Sequence, residues 1–137
     1  MTYLLPAFQA VSLTFATLAI LTGFQALYDP IKFSTSFGIS ITPASSKSPS
    51  QKKPSAAASY VSLMGVCQLA TGLTLLAFAW QGWWVQMAMV LFILGFVVAG
   101  TDGWVLCREG KKAKGVFHAL PGAGIAMLAG AVVVAGV

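Results

Sequence analysis

The eight Lys and Arg residues of this chain fall in two hydrophilic stretches, Lys32 to Lys53 and Arg108 to Lys114, set between long apolar runs. The runs are Pro6–Tyr28, Ala57–Trp80, Trp83–Leu106 and Gly115–Val137. Each is close to the ~20 residues a helix needs to cross a hydrocarbon core of ~30 Å. This pattern predicts an all-α fold, an integral membrane four-helix bundle. Within the runs, only Asp102 and His118 bring in a carboxylate or an imidazole. With four crossings, the first and third connections share one side of the bilayer, so every basic residue lies there, and the positive-inside bias makes that side cytoplasmic. Both termini and the tight Gln81-Gly82 turn are then expected on the lumenal or outer side. A cleaved signal peptide is a poorer reading of the first run, because no Lys or Arg precedes it. Its removal would also leave three spans and force both basic loops outward.

With 137 residues, 58% hydrophobic and 8% charged, the chain has no room for a soluble domain beside the spans, and a single four-span membrane domain over residues 1–137 is expected. The net charge of +5 does not point to nucleic acid, since the cations border membrane spans and no aromatic-studded groove surrounds them. Attraction to anionic headgroups accounts for them better. Cys67 and Cys107 differ in expected depth by roughly 15 Å at 1.5 Å per residue, too far for a disulfide between them. One histidine and no C-x-x-C pair supply neither a multi-ligand metal site nor thiol redox chemistry. The chain has no Asn, so N-glycosylation by the Asn-x-Ser/Thr route is excluded.

Asp29-Pro30 is expected to end the first helix, because proline supplies no N–H and restricts the residue before it. Ile31–Ile41, with Phe33, Phe37 and Ile39, reads as a short segment in the membrane interface. Thr42–Ser59 turns to Pro, Ser, Lys and Ala, too poor in apolar groups to offset the entropy of ordering, and reads as a flexible cytoplasmic loop. Its Ser48-Pro49 step is more simply a loop dipeptide than a phosphorylation site. Stripes of mostly small residues recur at helix-packing intervals in every span: Ala19 and Gly23; Ser62, Gly65, Leu69 and Gly72; Gly95, Ala99 and Gly103; Gly122, Ala126 and Gly130. In lipid such stripes let backbones approach closely; they serve a bundle or a homodimer face equally well. Trp80, Trp83 and Trp84 read as interfacial anchors.

Asp102 lies about one and a half turns inside the third run and His118 about one turn inside the fourth, at similar depth. An ionisable group facing hydrocarbon costs at least about 2.5–3.5 kcal/mol, so both should turn toward the bundle interior or a wet cavity. A carboxylate and an imidazole on adjacent antiparallel helices form a candidate catalytic dyad that moves protons on a lipophilic substrate. The plainer alternative pairs Asp102 with Arg108 as a topology lock and makes His118 an interfacial helix start. Asp29 and Lys32 read as interfacial caps. In the second span Gln68 and Tyr60 are candidate substrate-binding residues, although a mid-membrane Gln serves equally as interhelical glue. No phosphate-cradling loop, nucleophile elbow or zinc helix is present, so catalysis here would be cofactor-free acid–base work.

The succession Gly23, Tyr28-Asp29-Pro30, Phe37-Gly38-Ile39, then Tyr60 to Leu73, then Thr101-Asp102-Gly103-Trp104-Val105 and Gly115-Val116-Phe117-His118-Ala119 resembles a family of small four-span proteins abundant in filamentous fungi. That family is catalogued only as a domain of unknown function, and the resemblance covers nearly the whole chain. Its members often carry an arginine after the second-span glycine, where this chain has Cys67-Gln68. Their occurrence in secondary-metabolite gene clusters implies a role in polyketide, terpenoid or alkaloid assembly. Small multidrug transporters, by contrast, need an acidic residue in the first span, and tetraspanin- and claudin-like proteins need large cysteine-bearing outer loops.

The expected function is that of a small multi-pass membrane protein of fungal secondary-metabolite biosynthesis, placed in the endoplasmic reticulum or a related endomembrane. Its activity would be that of a cofactor-free isomerase, cyclase or epoxide-opening enzyme on a lipophilic intermediate, with Asp102 and His118 catalytic and Gln68 and Tyr60 orienting. The alternative is a non-enzymatic scaffold or export accessory, so enzyme status stays open. The expected partners are the lipid bilayer and a lipophilic small molecule, with a homo-oligomer or pathway enzymes left open.

Overall fold

The computed structural model describes residues 3–36, 56–110 and 112–136. They form α1 (Leu4–Tyr28), α2 (Pro30–Ser36), α3 (Ala56–Gln81), α4 (Trp84–Arg108) and α5 (Lys112–Ala135), with no strand among the described residues. The helices α1, α3, α4 and α5 are each long and apolar enough to cross a membrane. The expected all-α, multi-pass class is therefore the one found. Helix ends differ from the apolar runs by only a few residues, most at α5, which starts at Lys112 instead of Gly115. The apolar run stops where the lysines begin, but a helix does not have to: Lys stems lie along apolar surface while their ammonium groups reach the headgroups.

The Asp29-Pro30 step ends α1 and starts α2. Asp29 Oδ1 accepts the Lys32 backbone N–H at 3.0 Å, the N-cap arrangement, with Pro30 at the first helical position where a missing N–H costs nothing. Asp29 is thus a cap in the literal sense. Of the expected interfacial segment, Ile31–Ser36 is helical and buries Phe33 and Ser34; residues 37–41 lie outside the described ones. So do residues 42–55 of the expected loop, including Ser48-Pro49, while Ala56–Ser59 already form the first turn of α3.

Between α3 and α4 the chain reverses in one tight turn. Trp83 N–H donates to the Phe78 carbonyl at 2.9 Å and Gly82 N–H to that of Ala79 at 3.1 Å. These are the paired bonds that close a helix on a left-handed glycine, and Gly82 has φ +70°. The accompanying apolar contact is aromatic, with the Phe78 and Trp83 rings 6.1 Å apart.

The chain divides into two compact units, residues 1–16 with 74–137, and residues 17–73. In the first unit all four spanning helices contribute to one core, built on Phe8, Leu75, Met87, Leu91 and Val132. The buried Ser12 at its edge donates its hydroxyl to the Gln9 carbonyl of its own helix. In the second unit α1 and α3 approach through glycine: a Cβ on Gly23 would stand 2.8 Å from the Leu69 amide nitrogen, and one on Gly65 would stand 2.9 Å from the Gly23 carbonyl oxygen. The small-residue stripes of α1 and α3 therefore have a use within the chain. Large apolar side chains such as Leu21, Phe96 and Leu120 point outward, as a bilayer requires.

Candidate functional site

The antiparallel pair α4 and α5 is joined at its basic end by a turn closed on Gly110, whose φ is +81°. A ladder of small residues holds the two helices together. A Cβ on Gly95 would stand 2.5 Å from the Gly122 carbonyl oxygen, one on Gly103 would stand 2.6 Å from the Ala119 Cβ, and one on Gly115 would stand 2.5 Å from Cys107 Sγ. Main chains touch along this line because the sequence places no side chain in the way.

The two stripes do not have the same period. On α4 the touching or buried positions recur every fourth residue, at Leu91, Gly95, Ala99, Gly103 and Cys107, whereas on α5 they alternate by four and three, at Gly115, Ala119, Gly122, Ala126 and Ala129. A straight α-helix with 3.6 residues per turn carries a four-residue stripe about 40° around its axis at each step. The α4 helix takes up that drift with a π segment, Leu94–Val98, a widened turn that inserts residues without breaking the helix. The Thr101 hydroxyl braces its exit, reaching the Val97 and Val98 carbonyl oxygens at 2.7 and 2.9 Å. Opposite the π segment, α5 carries Pro121, which gives no N–H to the preceding turn.

Asp102 and His118 flank this ladder. Asp102 lies six residues before the end of α4 and His118 six residues after the start of α5, so an antiparallel pair sets them at matching depth. Each immediately precedes a contact residue, Gly103 and Ala119 respectively. Both are half-buried, and they are near enough for their charges to interact. The His118 ring stands edge-on to that of Phe117, 5.8 Å between centroids. Arg108 is directed elsewhere: its guanidinium lies over the Trp104 ring, 5.6 Å from the centroid. A lock between Asp102 and Arg108 is therefore not the arrangement found, and the reason is helical spacing, since Trp104 stands one turn from Arg108 on the same face and Asp102 does not.

The chain belongs to the DUF4267 family. This family, a domain of unknown function, matches residues 16–133, which include Tyr60, Gln68, Asp102 and His118. The resemblance to a domain of unknown function holds at that level. Comparison with curated proteins and with solved structures finds no match.

The four candidate residues of this DUF4267 chain divide between the two units. Asp102 and His118 belong to the first, Tyr60 and Gln68 to the second. Tyr60 is mostly exposed, at 74%, and Gln68 is half-buried. Eight residues apart on α3, they are displaced by about 80° around the axis at 3.6 residues per turn, so they do not share one line along the helix. Their polar neighbours turn inward on the helix itself: Ser62 and Thr71 donate their hydroxyls to the Ala58 and Cys67 carbonyls, a common solution for hydroxyls in lipid. Both cysteines are free. Among the described residues no group of three or more His, Cys, Asp or Glu is placed to hold a metal ion.

Proposed function

We propose that this protein is a membrane-embedded acid–base catalyst acting on a lipophilic intermediate of fungal-type secondary metabolism. The observation that supports the reading is the placement of Asp102 and His118 at one depth, on adjoining helices, within electrostatic reach of each other. A carboxyl and an imidazole so paired can take a proton from one atom of a substrate and return one to another. Isomerisation, cyclisation and epoxide opening need only that redistribution, so no electron acceptor or cofactor enters the balance. In this scheme Asp102 is the acid or base and His118 its partner. A substrate of this kind partitions into the bilayer and reaches the pair from the leaflet on the basic side. The basic stretches support a cytoplasmic location for that side, in the endoplasmic reticulum or a related membrane.

The test is metabolite profiling of a deletion strain complemented with wild type, with an Asp102→Asn/His118→Ala double variant, or with a chain lacking residues 47–53. One lipophilic intermediate that wild type clears and the double variant, present at wild-type level, does not would support the catalyst. Clearance by the double variant together with failure of the loop deletion would replace the catalyst with a scaffold.

A further inference from the structure

The turn joining α4 and α5 carries Arg108, Lys111, Lys112 and Lys114 against one carboxylate, Glu109. Arg108, Lys112 and Lys114 are exposed. Arg108 rests on Trp104, itself 63% exposed. The cation, at the last residue of α4, is therefore held on the outer face of the helix pair by attraction to an indole that looks outward one turn before it. On α5 the order is the same, with Lys114 followed within a turn by the exposed Val116 and Phe117. Cations thus stand at the rim of an outward apolar surface on both helices. A ligand fitting such a surface has an anionic head and apolar chains beneath it.

We infer that the α4–α5 turn binds the headgroup of an acidic phospholipid, with Arg108, Lys112 and Lys114 on its phosphoryl oxygens and Trp104 and Phe117 against its chains. Guanidinium and ammonium groups form strong charge-assisted hydrogen bonds to phosphate. A zwitterionic headgroup offers the same phosphate but no net negative charge, whereas the carboxylate of phosphatidylserine leaves it anionic, so phosphatidylcholine is the poorer ligand. Inorganic phosphate lacks the chains that the apolar rim would cover.

Native mass spectrometry of the full chain, offered phosphatidylserine, phosphatidylcholine and inorganic phosphate separately and in competition, tests this. The wild type is expected to retain phosphatidylserine at least about fivefold over phosphatidylcholine, following the attraction of basic juxtamembrane residues to anionic lipid. The R108Q/K112Q/K114Q variant should lose that preference. K47Q/K52Q/K53Q, which removes the same charge from the other basic stretch, should keep it, and so should R108K/K112R/K114R, which shows that the turn tolerates substitution. Equal retention of the two lipids by wild type would overturn the inference. So would equal loss in both glutamine variants, loss in the charge-preserving variant, or displacement of phosphatidylserine by inorganic phosphate at comparable concentration.

Discussion

Gly103 and Gly115 meet main chain to main chain: a Cβ on Gly115 would stand 2.7 Å from the Gly103 carbonyl oxygen, and one on Gly103 would stand 3.0 Å from that of Gly115. Part of the obstacle on each side is backbone, which cannot rotate out of the way as a side chain can. Gly103→Val or Gly115→Val should therefore push α4 and α5 apart and destabilise the chain by about 1–3 kcal/mol, the usual cost of overpacking. Thermal unfolding in detergent reads this as a lowered midpoint. Gly124 is the control: a Cβ there meets nothing within 4 Å, so Gly124→Ala should leave the midpoint unchanged or raise it slightly.

The π segment gives a second prediction. Removing one residue from Leu94–Val98, for example Val97, takes out the residue that the widened turn absorbs, so α4 should run on as an unbroken α-helix whose later residues keep their direction. Gly103 would stay in the ladder and Asp102 on the side that His118 faces. Cysteines introduced at positions 102 and 118 in a background lacking Cys67 and Cys107 should cross-link with a short bifunctional reagent in the full-length chain. After the deletion, that yield should be kept, whereas a sharp fall would mean that the widened turn does not absorb the extra residue.

A third prediction concerns the turn at Gly82. Its φ of +70° is a conformation that costs a residue with a Cβ roughly 1–2 kcal/mol. Gly82→Ala should lower the unfolding midpoint although a Cβ there would touch nothing within 4 Å. Gly82→Asn should do less harm, because Asn tolerates the left-handed region. Comparing the two midpoints separates backbone strain from crowding.

The four spans were legible because hydropathy and the placing of cations report on lipid directly. The equal depth of Asp102 and His118 was legible too, since it follows from counting residues to the ends of two antiparallel helices. Which stripe meets which was not, because in lipid a glycine that packs within the chain and one that faces a second copy leave the same trace. The π segment was also missed. Its trace is the unbroken four-residue spacing from Leu91 to Cys107 beside the four-three alternation from Gly115 to Ala129, and a stripe read one helix at a time hides that mismatch. The direction of Arg108 was within reach of the sequence, since Trp104 is its neighbour one turn away on the same face and Asp102, six residues away, is not.

The closing prediction concerns the pair itself. If Asp102 and His118 act as one proton-transfer unit, removing either one should already abolish the unit, so their effects will not add. Asp102→Asn and His118→Ala should each lower turnover by about 10²–10⁴-fold, the contribution typical of a positioned acid or base. The double variant should fall no further than the worse single. Two independent structural roles would give the opposite result, with losses that multiply and that track the unfolding midpoint. The exchange Asp102→His/His118→Asp discriminates further. Since the two positions lie equally far from the ends of their helices, exchanging the side chains keeps a carboxyl opposite an imidazole at the same depth. Partial recovery of turnover over the single variants is the expected outcome, because the pair needs each group near the other more than it needs either on a given helix.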